Sequence, residues 1–95
     1  MKTQIDEVEI VPIKPREGLI AFASCVVDKK LYLGNIGVHS KLDGSGYRLT
    51  YPTKKLGLSN IPIYHPINKQ LGEAIAKAIG EKVDKLMGGV EGEGP

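Results

Sequence analysis

One stretch of the chain, Leu19–Val27, constrains the fold more than any other. In a β-strand alternate residues face opposite sides, and here both alternating sets are mostly apolar. This pattern predicts a central strand covered on both sides, by a helix, by a second sheet or by a partner subunit. The small side chains of Ala21 and Ala23 favour their face for the helix, because they allow a helix to approach closely.

A second constraint lies near the end of the chain, where apolar residues recur at spacings of three and four. This spacing predicts one amphipathic α-helix over residues 68–87, which at 1.5 Å per residue is about 30 Å long and crosses a sheet. Asn68 is a favoured N-cap, Ile67 is expected to pack back on Leu71 or its neighbours as a hydrophobic staple, and Gly88 and Gly89 end the helix. The apolar face consists of Leu71, Ala74, Ile75, Ala78, Ile79, Val83 and Leu86.

Three residues break the helical pattern. Gly72 and Gly80 each cost up to about 1 kcal/mol relative to alanine, so we expect them to mark a close approach of a strand or of a second helix. Lys82 falls inside the apolar stripe. Either its aliphatic stem follows the sheet margin, or this end of the helix projects beyond its own subunit.

The rest of the chain reads as further strands. Residues 31–42 form a hairpin with the central strand, and residues 47–51 return after a glycine-rich turn. Residues 4–13 form an N-terminal strand. Slips in the apolar alternation predict β-bulges near Ile10 and Val11, and again at Gly34 and Asn35.

The segment before the helix is less regular. Residues 52–60 are interpreted as a loop. Residues 61–64 are predicted to form a short edge strand, because Pro62 cannot donate to a ladder. The predicted fold is therefore α+β, with an antiparallel sheet of four to five strands and one C-terminal amphipathic helix.

Length and composition bound the domain organisation. The 95 residues suffice for one domain, assigned to residues 1–89, and residues 90–95 are expected to be a disordered tail. So short a chain often completes its core by association, so we expect a homodimer with residues 61–64 in its seam. One cysteine, no signal segment and no long apolar run predict a soluble cytoplasmic protein without a membrane anchor.

Charge is unevenly distributed behind a net value of +2. Residues 1–28 carry −2, residues 29–69 carry +6 and residues 70–95 carry −2. A local excess of this kind can attract a polyanion, although for the charge pattern alone solubilising lysines at turns and strand ends are the simpler explanation. The basic residues of the middle third are Lys29, Lys30, Lys41, Arg48, Lys54, Lys55 and Lys69.

Catalytic chemistry finds no support in the sequence. Cys25, His39 and His65 show no metal-ligand spacing, and Cys25 is predicted to be buried as a small core residue. The glycine-rich turn at residues 43–46 has no following helix to present amides to a phosphate. We therefore expect no enzyme activity, no metal and no cofactor.

Nucleic-acid binding needs only accessible cations and hydrogen-bond donors. The densest cluster is Lys54 and Lys55, with Arg48 close in sequence and Lys69 at the helix entry. The helix lysines alternate with acidic residues, so they are assigned a supporting role. The candidate nucleic-acid-binding residues are Arg48, Lys54, Lys55, Lys69, Lys77, Lys82 and Lys85.

Two linked motifs give the chain a family resemblance. A strand ending in Tyr51-Pro52-Thr53-Lys54-Lys55, then His65-Pro66-Ile67-Asn68 opening the last helix, resembles the stage V sporulation protein G (SpoVG) septation regulators. The resemblance covers roughly residues 5–87. It implies a homodimeric cytoplasmic regulator of septation and sporulation that binds DNA and RNA without catalysis. The alternative is a non-catalytic protein-interaction module whose partners are cell-division proteins.

Overall fold

A four-stranded antiparallel sheet, with its strands in sequence order, forms the body of the protein. The structure is a computed structural model that describes residues 3–88. The sheet strands are β1 (Ile5–Arg16), β2 (Leu19–Val27), β3 (Leu31–Ser40) and β4 (Tyr47–Thr50), and they precede a separate hairpin of β5 (Thr53–Leu56) and β6 (Ser59–Pro62). The helix α1 (Lys69–Val83) follows. The predicted α+β class is confirmed.

The core lies between one face of the sheet and α1. Ala21, Ala23 and Cys25 are buried on the face of β2 that was assigned to the helix, and Ile75 and Ile79 meet them from α1. Burial of this apolar surface stabilises the fold by about 25 cal/mol per Å² removed from water. Among the residues whose burial the structure describes, the buried core consists of Ala21, Ala23, Cys25, Val27, Leu33, Ile36, Val38, Ile75, Ile79 and Val83.

The entry of α1 has the predicted cap but not the predicted staple. The Asn68 side chain accepts a hydrogen bond of 2.9 Å from the backbone N–H of Leu71, which satisfies one of the free donors of the first turn. Ile67 is 92% exposed, so the expected contact with Leu71 does not form. Pro66, one residue earlier, lies against Gly72 of α1.

The end of the helix differs from the expectation of a continuous α-helix to residue 87. The α-helix ends at Val83, and Asp84–Gly88 continues as one wider π-helical turn. The predicted tail at residues 90–95 lies outside the described residues.

One of the two predicted bulges is in place and the other was misplaced. In β3, the pairing with β2 shifts at Gly34 and Asn35, as the sequence predicts. In β1, the pairing with β2 shifts between Asp6 and Glu9 and again between Pro12 and Arg16, and neither shift falls at the predicted Ile10 and Val11. Glu7 has a φ of 48°, and this kink lets Ile5, Val8 and Ile10 all pack toward the core.

The interpretation of residues 52–60 as a loop was wrong. Thr53–Leu56 pairs with Ser59–Pro62 in an antiparallel hairpin, and Gly57, with a φ of 65°, opens its two-residue turn. Apolar alternation did not reveal β5, because its four residues are all exposed and none faces a core. The predicted edge strand at residues 61–64 is displaced, since β6 ends at Pro62.

The irregular positions of the helix have partial explanations. Gly80 faces Tyr47 of β4, but a methyl group added there is 3.6 Å from the Tyr47 ring, which is an ordinary contact. Lys82 lines a shallow depression with Ile5 and Val8 of β1, so its stem follows the sheet margin.

Candidate nucleic-acid interface

The hairpin of β5 and β6, here called the arm (residues 53–62), stands outside the core. All eight strand residues are exposed, and the turn residue Leu58 is 101% exposed. A backbone hydrogen bond of 2.9 Å from Ile63 to Pro52 closes the base of the arm. An isolated two-stranded hairpin is marginally stable in water, so the arm gains little stability from its own strand pairing.

The arm separates the two lysines that are adjacent in the sequence. Lys54 is paired with Ile61 and Lys55 with Asn60. Because successive residues of a strand point to opposite faces, the two ammonium groups are presented on opposite sides of the arm. They form two separate cationic points, not one cluster.

Arg48 lies on the body of the protein and has a different set of neighbours. Strand pairing places it opposite His39, whose Nε2 is 3.1 Å from the Thr50 hydroxyl. Arg48, His39 and Lys41 line an open cleft of about 670 Å³ together with the carboxylate of Glu17. This cleft is larger than the one of about 550 Å³ that Lys77 lines.

The helix lysines are distributed over two further surfaces. Lys77 lines a cleft of about 550 Å³ between α1 and the turn around Ser45. In this cleft the Tyr47 hydroxyl donates a 2.7 Å hydrogen bond to Asp84. Burial, followed by that contact with the Asp84 carboxylate, raises the pKa of the Tyr47 phenol. The nearby acid weakens this cleft as an anion site.

The other three candidate lysines of the helical segment also have acidic neighbours. Lys69 is 4.0 Å from the Glu73 carboxylate in an exposed ion pair, which contributes little to stability. Lys82 and Lys85 share the depression beside β1 with Glu81. The basic and acidic side chains that alternate along the helix in the sequence therefore also lie close together in space.

The buried thiol has the environment of a core residue. Cys25 is fully buried, and burial raises the pKa of its thiol, so the reactive thiolate is disfavoured. Within residues 3–88, no three side chains of the His, Cys, Asp and Glu types come together as a metal-binding group.

Sequence reasoning missed two residues of the cleft around Arg48, namely His39 and Lys41. His39 was considered only as a possible metal ligand, and Lys41 was counted only in the regional charge. The signal that finds them is the register of β3 with β4, which puts His39 opposite Arg48. That register follows once the turn at residues 43–46 is placed.

Comparisons with known proteins identify no relative of this chain. No protein-family model matches it, and a search of curated proteins finds no match. The resemblance to the septation regulators therefore remains a prediction from the two motifs. Over the part of the chain that the structure describes, no helix has the length and apolar character needed to cross a membrane.

Proposed function

We propose that the protein is a non-catalytic, dimeric nucleic-acid-binding regulator of the cytoplasm, acting in septation or sporulation as the motif resemblance implies. The observation that carries the nucleic-acid part is the charge of the arm and its flanks. From Gly44 to Gly72 the chain contains four basic residues and no acidic one. This stretch includes the whole arm, and its exposed lysines are available to phosphates.

The dimeric part is supported by the apolar side chains of the same arm. Leu56, Leu58 and Ile61 are 60%, 101% and 43% exposed. A water-exposed hairpin with this composition gains stability when it packs on a second surface, and a second copy is the simplest such surface. Dimerisation also doubles the number of lysines that reach one nucleic acid.

The decisive experiment measures binding to a DNA duplex and to RNA over a range of salt concentrations. Removing one lysine that neutralises a phosphate of duplex DNA reduces the slope of log K against log salt concentration by about 0.9. The Lys54→Ala/Lys55→Ala variant is therefore expected to flatten the slope by about 1–2. Lys29→Ala/Lys30→Ala is the matched control, because it removes an adjacent lysine pair from the turn between β2 and β3, outside the arm.

Two results would contradict the assignment. An unchanged slope in the arm variant removes the arm from the nucleic-acid interface. Equal flattening in the Lys29→Ala/Lys30→Ala control means that binding depends on overall charge and not on the arm.

A protein-interaction module is the second candidate, and the exposed Leu56 and Leu58 favour it. In that case the arm binds a cell-division protein through apolar contacts, and its lysines serve solubility. Such binding depends weakly on salt and is abolished by Leu58→Ser, whereas Lys54→Ala/Lys55→Ala leaves it unchanged.

A further inference from the structure

The sheet surface opposite α1, here called the outer face, is left uncovered by every element among residues 3–88. Strand pairing places one set of side chains on it in three cross-strand rows. The first row holds Arg16, Leu19, His39 and Arg48, and the second holds Val11, Phe22, Gly37 and Thr50. The pair Glu9 and Ser24 follows, and beyond it the third row holds Asp6, Val26 and Tyr32. The face therefore has a cationic end and an aromatic middle.

Two aromatic side chains on this face are exposed. Phe22 is 40% exposed and Tyr32 is 69% exposed, and both line one shallow depression with Val11 and Ser24. Large aromatic groups usually bury their apolar surface, so two of them beside one depression on a sheet mark a binding surface.

The Tyr32 ring is positioned by the bulge in β3. A methyl group added at Gly34 lies 3.0 Å from a carbon of that ring, so the ring crosses the strand directly above a glycine. A larger residue at position 34 displaces it. Because the bulge also leaves Asn35 exposed in the same depression, a polar amide stands beside the two rings.

The cationic end supplies positive charge that is complementary to phosphate groups. Arg16, His39 and Arg48 follow one another across β1, β3 and β4 on the first row. Guanidinium groups bind phosphate oxygens in a bidentate manner, and aromatic rings accept the faces of unpaired bases. On the strands, the acidic residues Asp6 and Glu9 lie toward the opposite end, whereas Glu17 and Asp43 from the flanking turns line the cleft beside Arg48.

We propose that the outer face binds single-stranded nucleic acid, with unpaired bases stacked on Phe22 and Tyr32 and phosphates held by Arg16 and Arg48. The inference rests on the proposed nucleic-acid-binding function and names its ligand class and a second surface. A duplex cannot use the two rings, because its bases already stack on one another, whereas a single strand offers free base faces.

The test uses a fluorescein-labelled single-stranded RNA of 12 nucleotides and the same sequence as a duplex. Phe22→Leu and Tyr32→Leu keep an apolar side chain and remove the ring. Each is expected to raise the single-strand Kd roughly fivefold or more, with the duplex Kd unchanged. The salt slope also stays unchanged, because stacking releases no counterions, whereas Lys54→Ala/Lys55→Ala flattens it.

A second measurement locates the contact directly. The RNA carries 5-iodouridine, and the cross-linked peptide is identified by mass spectrometry after irradiation. Cross-links to Phe22 or Tyr32 support the proposal. Cross-links confined to the arm overturn it while leaving the proposed function intact.

Two further outcomes separate this inference from its alternatives. If Phe22→Leu or Tyr32→Leu lowers the sedimenting mass of the protein, the outer face is a surface for a protein partner and the inference is overturned. If the wild-type protein binds neither the single strand nor the duplex, the proposed function fails together with the inference.

Discussion

At the scale of single residues, Tyr64 joins the segment before the helix to the bulge of β3. Its hydroxyl donates a hydrogen bond to the carbonyl oxygen of Gly34, 30 positions earlier in the chain. Its ring packs edge-to-face on the ring of Tyr51, with the two ring centroids 5.8 Å apart. The bulge interrupts the ladder between β2 and β3, so this side chain gives a displaced carbonyl a partner.

The same residue gives the fold a defined sensitivity to alkali. Burial, with smaller effects from Cys25 and the neighbouring tyrosines, raises the pKa of Tyr64 from 10.0 to about 12. Below pH 10 both folded and unfolded states keep the proton. Between pH 10 and 12 the unfolded chain loses it first, so the free energy of unfolding falls as the pH rises through that window.

We therefore predict two effects of Tyr64→Phe. At pH 7 the variant loses about 0.5–1.5 kcal/mol through the missing hydrogen bond. Between pH 10 and 12 its stability declines less than that of the wild type, because position 64 no longer titrates. Urea unfolding at several pH values measures both, and parallel stability curves for the two proteins would contradict the second effect.

At the scale of elements, α1 carries a glycine that the packing does not require. A methyl group added at Gly80 makes an ordinary 3.6 Å contact with the Tyr47 ring, and the α-helical backbone favours alanine. Gly80→Ala is therefore expected to raise the free energy of unfolding by about 0.5–1 kcal/mol.

Gly37→Ala is the contrasting control for that measurement. A methyl group at Gly37 lies 2.5 Å from the Thr50 hydroxyl oxygen and 3.3 Å from Leu19, so this variant is expected to destabilise the protein. Both variants are measured by urea unfolding under one set of conditions. A loss of stability in Gly80→Ala would mean that Tyr47 cannot adjust to the added methyl group.

The elements also show how far the sequence predicts this fold. The central strand, the helix and the N-cap at Asn68 follow from local signals. These are the apolar alternation of the strand, the spacing of three and four residues in the helix, and an asparagine side chain that can accept from the backbone of the first turn. The position of the β1 bulge does not follow from such local signals. The apolar alternation fits a bulge at Glu7 and Val8 as well as one at Ile10 and Val11, and only the pairing with β2 distinguishes the two. The exposed β5 gives no apolar signal at all.

The candidate site was predictable to a lesser degree than the fold. Residue type identified Lys54, Lys55 and Arg48 as exposed cations, which they are. Their arrangement depends on strand pairing: alternation along β5 separates the two lysines, and β3 brings His39 to Arg48. Such neighbours are distant in sequence, so composition and spacing cannot reveal them.

At the scale of the whole molecule, the arm extends a small body whose core has a single layer of helix. We predict that the protein sediments at micromolar concentration as a dimer, at twice the 10.3 kDa of one chain. Leu58→Ser with Ile61→Ser is expected to give monomers, because it removes apolar surface from the arm.

The control is Leu42→Ser, which changes a side chain that is 106% exposed in the turn between β3 and β4, outside the arm. It should leave the sedimenting mass unchanged. A wild-type protein that sediments only as a 10.3 kDa species would refute the dimer. Dissociation by the control variant would move the seam away from the arm.

The exposure of the arm also bears on how such a protein changes under selection. Side chains of β5 and β6 that touch no core are free of the packing demands that restrict Ala21 or Ile79. Substitutions there are expected to leave the stability of the body unchanged. Under the proposed function, partner choice and folding are encoded in separate parts of one short chain, and each can vary while the other is retained.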